Sequence, residues 1–170
     1  MRRQILICVE TNKRSNTDFV YIKCTLEHYY ENTKEITYRP VYLESKTRYR
    51  DKKKQLEIKE TKKAYKGSTS VIYCIDMDEY ASKPEDMQLL EEIKAFCEQQ
   101  DYDLVLFNKD VEDVYWGQQV KNTEKVKRAS QFRENNMIAN IRIESLSSNT
   151  FSRHQSNILS VFDKYWRRKA

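Results

Sequence analysis

Glycine and proline are scarce in this 170-residue chain, with two of each. That scarcity excludes collagen-like and low-complexity architectures. Histidine is equally rare, at two, and the four cysteines (Cys8, Cys24, Cys74, Cys97) form no C-x-x-C pair. A zinc site is therefore not expected, and the thiols read as reduced core residues. No apolar run approaches the roughly 18 residues of a membrane span. Met1-Arg2-Arg3-Gln4 leads into only five apolar residues, too few for a signal-peptide core. The expectation is a cytoplasmic protein with no membrane partner. Neither G-x-x-x-x-G-K-[ST] nor G-x-G-x-x-G occurs, which removes P-loop and dinucleotide-binding readings.

What is present argues for one folded domain of ordinary size. Twelve Tyr, six Phe and two Trp are too many aromatics for a disordered tail. Net charge is +5, but its distribution says more than its total. Between Lys46 and Lys66 ten basic residues face three acids, a net +7 that leaves the rest of the chain slightly acidic. Lys121, Lys125, Lys127, Arg128 and Arg133 form a second basic group, and Arg167-Arg168-Lys169 a third. Such density of cations suits phosphate-backbone contact, with affinity that falls as salt rises. The plainer alternatives are a solvated helix face and a protein-docking surface. From these groups and the polar stretch near residue 13, the residues expected to touch nucleic acid are Lys13, Arg14, Arg48, Arg50, Lys52, Lys53, Lys54, Lys59, Lys62, Lys63, Lys127 and Arg128.

Hydrophobic patterning alternates strand with helix. Gln4–Val9 is a continuous apolar run, as for a strand buried on both faces. Asn16 or Thr17 caps a helix running to about Glu31, with Phe19, Ile22 and Leu26 at helical spacing. Ile36–Leu43 reads as a strand that Pro40 assigns to an edge. Residues 50–66 form a basic, weakly amphipathic helix anchored by Leu56, Ile58, Ala64 and Tyr65, which Gly67-Ser68 ends. Ser70–Ile75 and Asp103–Phe107 are further buried strands, separated by a helix opening at Lys83-Pro84. Val111–Trp116 and a basic helical stretch come next, and an amphipathic helix over about Ser152–Arg167 closes the chain. The fold class is α/β with a mostly parallel sheet.

In such sheets ligands bind beyond the carboxyl ends of the strands. Glu10 follows the first strand, and Asp76 and Asp78 follow the third. Residues two apart in an extended segment point the same way, so Asp76 and Asp78 are expected to converge on one ion. Carboxylate oxygens suit Mg²⁺ or Mn²⁺, and such an ion can position a phosphodiester. His28 and His154 read as surface or capping residues.

Together these residues resemble the Toprim domain, and within it the RloB-like branch. The strand I-L-I-C-V-E10 is followed by Thr17-Asp18-Phe19-Val20-Tyr21, similar to that branch's Thr-Glu-x-x-Tyr element, with Asp18 in place of the second acid and Tyr21 as the aromatic. I-Y-C-I-D-M-D-E matches the D-x-D strand at Asp76 and Asp78, and F-N-K-D-V-E-D-V-Y-W-G offers Glu112 or Asp113 with Trp116 for an aromatic-acid-x-Trp element. The likeness covers residues 4–117, with 118–170 as a helical extension. It departs at Thr11, where Toprim sequences usually carry Gly after the Glu. The resemblance implies a Rossmann-like Toprim fold and Mg²⁺-dependent phosphodiester chemistry on nucleic acid. Glu10 would be the acid/base group or a ligand, Asp76 and Asp78 would hold the ion, and Glu112 and Asp113 are further candidates. Because 170 residues leave no room for the extra domains of a topoisomerase or primase, hydrolysis is the expected activity. The family's association with restriction and phage defence implies a bacterial accessory nuclease, with a protein partner from such a system. The alternative is a non-catalytic subunit that binds nucleic acid or a partner on a degenerate Toprim fold.

Overall fold

Period-two burial in the central strands fixes where everything else must go. In β1 (Arg3–Val9) Ile5, Ile7 and Val9 point to one face, and Leu6 and Cys8 to the other. In β3 (Ser68–Asp76) Ile72 and Cys74 share the first face, while Val71, Tyr73 and Ile75 share the second. The structure, a computed structural model, describes residues 1–170. Its sheet is wholly parallel, ordered β2-β1-β3-β4, with β2 at Ile36–Tyr42 and β4 at Asp103–Phe107. Pro40 lies in an edge strand, opposite Ile7, where its missing N–H costs the sheet nothing central. Cys8 and Cys74 lie on neighbouring strands but on opposite faces, and all four thiols are free.

From β1 the chain crosses through α1 (Thr17–Tyr29) to β2, then back past β1 through α2 (Lys52–Ala64) to β3. Moving outward and then back puts the two helices on opposite faces, as right-handed crossovers demand. Helices α2 and α3 (Pro84–Gln100) cover one face around Leu6, Tyr73, Ile58, Leu90 and Ile93. The other face carries α1 with the short helices α4 (Val111–Trp116), α5 (Lys125–Glu134), α6 (Ile143–Leu146) and α7 (Ile158–Phe162). The fold is Rossmann-like, and no helix is long and apolar enough to cross a membrane. Residues beyond 117 belong to the same core: Ala129, Phe132, Ile158, Phe162 and Trp166 pack in one cluster with Ile5, Ile7 and Tyr21.

Three expectations need correction. The closing helix is not continuous over Ser152–Arg167; only Ile158–Phe162 is helical. Phe151 and His154 adopt left-handed backbone, and Gln155 and Ser156 are tied to β4 through Asn108 N–H to Gln155 O at 2.9 Å and the Phe107–Ser156 bridge. The expected inner face is buried all the same at Ile158, Leu159, Phe162 and Trp166. In α2 only Ile58 is buried, whereas Leu56 projects into solvent, so one anchor replaces four. The strand carrying the D-x-D runs from Ser68 through Asp76 itself, and extended backbone stops before Asp78, whose φ is 49°.

Candidate functional site

Chain order in the sheet reverses between β1 and β3, so the crevice of a Rossmann-like fold opens there. Glu10 leaves the end of β1 and accepts the Asp76 N–H at 2.5 Å, closing the gap between the two strands. Asp76, the last residue of β3, is aimed by its own acceptor bond: Val111 N–H donates to its Oδ1 at 3.0 Å, tying β3 to the start of α4. Asp18 lies on the buried face of α1, 6% exposed, and Glu112 of α4 is 1% exposed. Asp110 caps α4 through the Asp113 N–H at 2.8 Å.

Four carboxyls from four elements therefore gather at one end of the sheet, and each pushes on the next. Burial raises the Glu10 carboxyl to about 8, with Asp18 adding to the rise and the Asp76 N–H and Lys46 opposing it. Asp18 is raised to about 7, by burial first and then by Glu112, against Lys125. Asp76 is pushed well above its ordinary range by burial, then by Glu10, Asp18 and Glu112. Burial also raises Glu112, with Lys125 opposing. Lys125 Nζ lies 3.6 Å from Glu112 Oε1. Burial works against the Lys125 ammonium, yet Glu112, Asp110, Asp76 and Asp18 together raise its pKa. Two ammonium groups, Lys125 and Lys46, do not balance this many acids in a poorly hydrated space.

A cavity of about 340 Å³ opens on the cluster, lined among others by Glu10, Thr11, Asp18, Asp76, Asn122 and Lys125. Both Glu112 carboxylate oxygens and the Thr11 hydroxyl are buried without a hydrogen-bond partner. Orphaned buried acceptors of this kind are costly unless something fills the role. An all-oxygen acidic donor set with two orphaned acceptors fits Mg²⁺ or Mn²⁺. Glu10, Asp18, Asp76 and Glu112 are the residues able to hold such an ion. As arranged, no three acidic, His or Cys side chains meet at a single point for a metal; Glu10 and Asp76 each spend an oxygen on a backbone N–H.

The expected metal and catalytic residues divide. Glu10 and Asp76 come together with Glu112. Asp78 does not join Asp76: its left-handed backbone turns the chain over the sheet edge, its N–H bonds to Lys109 O at 2.7 Å, and its carboxylate pairs with Lys46. Asp78 still bears electrostatically on Glu10. Asp113 faces away to His154 Nδ1 at 2.8 Å, so His154 is the partner of a buried acid rather than a simple surface residue. Trp116 Nε1 donates to the Tyr21 hydroxyl at 2.9 Å, and Arg128 stacks on the Trp116 ring at 4.9 Å.

The cations divide as well. Helix α2 starts at the carboxyl edge of the sheet and ends at its far edge, where Ser68 N–H meets Arg2 O. Its 13 residues span about 20 Å. Arg48, Arg50, Lys52, Lys53 and Lys54 stand on the site's side, although Arg48 pairs with Glu44 and Asp51, and Lys54 with Glu57. Lys59, Lys62 and Lys63 stand toward the other end, with Lys62 over the Tyr102 ring. Lys13 and Arg14 are exposed on the β1–α1 loop beside the cavity, and Lys127 is exposed on α5.

Comparison with family models, curated proteins and solved structures gives no match. Lys46 and Lys125 are the site residues that sequence reasoning left in the general basic background. Lys46 follows the end of β2 by four residues, so the topology alone carries it to the edge where Glu10 lies. Nothing local distinguishes Lys125.

Proposed function

We propose that the chain is a Mg²⁺- or Mn²⁺-dependent nuclease acting on DNA or RNA, with its site at the β1–β3 crevice. The supporting observation is the group of half-buried Glu10 and Asp76 with buried Asp18 and Glu112, with Lys125 as the ammonium beside it and both Glu112 oxygens without a hydrogen bond. A divalent ion bound there would offset the mutual repulsion and polarise a phosphodiester toward attack by water. Asp76, Asp18 and Glu112 are the holding residues, with Asp78 as an outer acid. Glu10, which lines the cavity, would pass a proton between water and the leaving oxygen. Lys13, Arg14, Lys52, Lys53 and Lys127 would receive the phosphate backbone on the approach to the crevice.

The same residues carry the likeness to the RloB-like Toprim proteins: Asp18 and Glu112 act on each other, and Tyr21 hydrogen-bonds Trp116. On that reading the protein works in the cytoplasm, beside a partner from a restriction or phage-defence system. A second reading, a non-catalytic subunit that binds nucleic acid or a partner, is favoured by two observations. Asp78 is held by Lys46, and no three acids converge.

Cleavage of labelled single- and double-stranded DNA and RNA in Mn²⁺, native against Asp76→Ala/Glu112→Ala, separates the two. Cutting by the native chain alone supports the nuclease. Salt-sensitive binding without cutting supports the subunit, and equal cutting by both proteins overturns this site.

A further inference from the structure

Lys46 is the least expected member of the site. It sits on a single 3₁₀ turn, Lys46–Arg48, that follows β2. Its Nζ donates to the Asp76 carbonyl at 3.1 Å and to the Asp78 carboxylate, and only 12% of its side chain is exposed. It also acts on Glu10. A lysine drawn in this way spans the ends of β2, β1 and β3, and its ammonium sits at the edge of the acidic group.

We infer that Lys46 is a phosphate-binding residue of the site, one that exchanges its pairing with Asp78 for the phosphodiester when a divalent ion binds. The inference rests on the metal-dependent reading above. Lys46 Nζ lies 3.1 Å from the carbonyl of Asp76, so a divalent ion held by Asp76 and its neighbours repels the ammonium and weakens the hold of this edge on Lys46. The lysine stem is flexible and its head a compact charge with three donors, so Nζ can leave Asp78 without moving the turn. What it meets next is set by its neighbours: Arg50, Lys52 and Lys53 continue the positive edge outward along the start of α2. The ligand of that edge is an anion that arrives with the ion, which for a nucleic acid is a non-bridging phosphate oxygen.

The test uses Lys46→Met and Lys46→Arg in the full chain, with two probes. Calorimetric titration with Mn²⁺ alone reads the competition, and anisotropy of a labelled oligonucleotide in Ca²⁺ reads the phosphate contact. Removing the competing cation should tighten Mn²⁺ binding about 5- to 10-fold in Lys46→Met. The same variant should bind the oligonucleotide about tenfold more weakly, with Lys46→Arg restoring most of that loss. A residue that merely braces the turn would not tighten metal binding when removed. Unchanged or weaker Mn²⁺ binding by a folded Lys46→Met overturns the inference. If that variant does not fold, Lys46→Gln is read against the same two outcomes. If the native chain binds no Mn²⁺, the metal-dependent reading fails along with this one. If native binding is lost in Asp76→Ala yet indifferent to Lys46, only the present inference fails.

Discussion

Replacing Asp18 with Asn should make the ion-free protein more stable, by an amount that depends on pH. Asp18 is 6% exposed and its carboxyl is raised from 3.8 to about 7. Below the unfolded value both states hold the proton and burial carries no charge penalty. As pH rises from about 4 toward 7, the unfolded chain releases the proton first, so stability falls by about 1.4 kcal/mol per pH unit from this group. Above about 7 the folded chain has released it too, and the full penalty, on the order of 4 kcal/mol, stands. Water entering the cavity softens it, and we expect Asp18→Asn to gain about 2–4 kcal/mol at pH 8 but only about 0.5–1 kcal/mol at pH 4.5. For a chain of this length that is about 5–15 °C in Tm. The assay is thermal unfolding in chelator across that pH range, repeated with Mn²⁺. The ion should stabilise the native chain most at pH 8 and the variant far less. Parallel pH curves for the two proteins, or a variant less stable than native at pH 8, would refute the account of a strained carboxylate cluster.

The two ends of α2 should behave differently toward nucleic acid. Alanine at Arg50, Lys52 and Lys53 should lower the slope of log affinity against log salt by about 2–3, while alanine at Lys59, Lys62 and Lys63 should leave it near native; the reverse result would move the binding track off the site. Ile58→Ala should cost about 2–5 kcal/mol in denaturant unfolding and Leu56→Ala less than about 0.5 kcal/mol, because only Ile58 is buried. Trp116→Phe removes the donor to the fully buried Tyr21 hydroxyl and should cost about 1–3 kcal/mol by the same measurement.

How much of this was legible beforehand depends on whether the deciding interaction was local. Strands β1, β3 and β4 are short apolar runs, the first two ended by acids, and burial on both faces leaves them no other reading. Glu10 and Asp76 follow directly, since the end of a parallel strand is a position in the sheet as much as in the chain. Asp78 fails for a specific reason: the alternation rule needs extended backbone, and the chain turns left-handed there as the Asp78 N–H donates to the Lys109 carbonyl. The closing helix fails because Ile158, Leu159, Phe162 and Trp166 satisfy helical spacing, but contacts with β4 hold the preceding residues in another shape. Lys46 takes its role from acids 30 or more residues away along the chain, and Lys125 from acids on other elements, Glu112 first; composition cannot carry that information.

The late segment that completes the α1 face has a bearing on how the chain comes to be folded. Tyr30 at the end of α1 bonds to Leu159 O and Asp163, Trp166 lies 6.3 Å from its ring, and Lys169 N–H closes on Tyr29 O. About 135 residues separate Tyr30 from Trp166, so at about 5–20 residues per second the apolar side of α1 waits on the order of 10–30 s for its cover during synthesis. Once Leu106 has been made, the α2–α3 side has all of its buried residues, and for the remainder of that interval the nascent chain is finished on one side and sticky on the other. A ribosome stalled shortly before Trp166 would therefore leave an aggregation-prone chain that chaperones or proteases must handle.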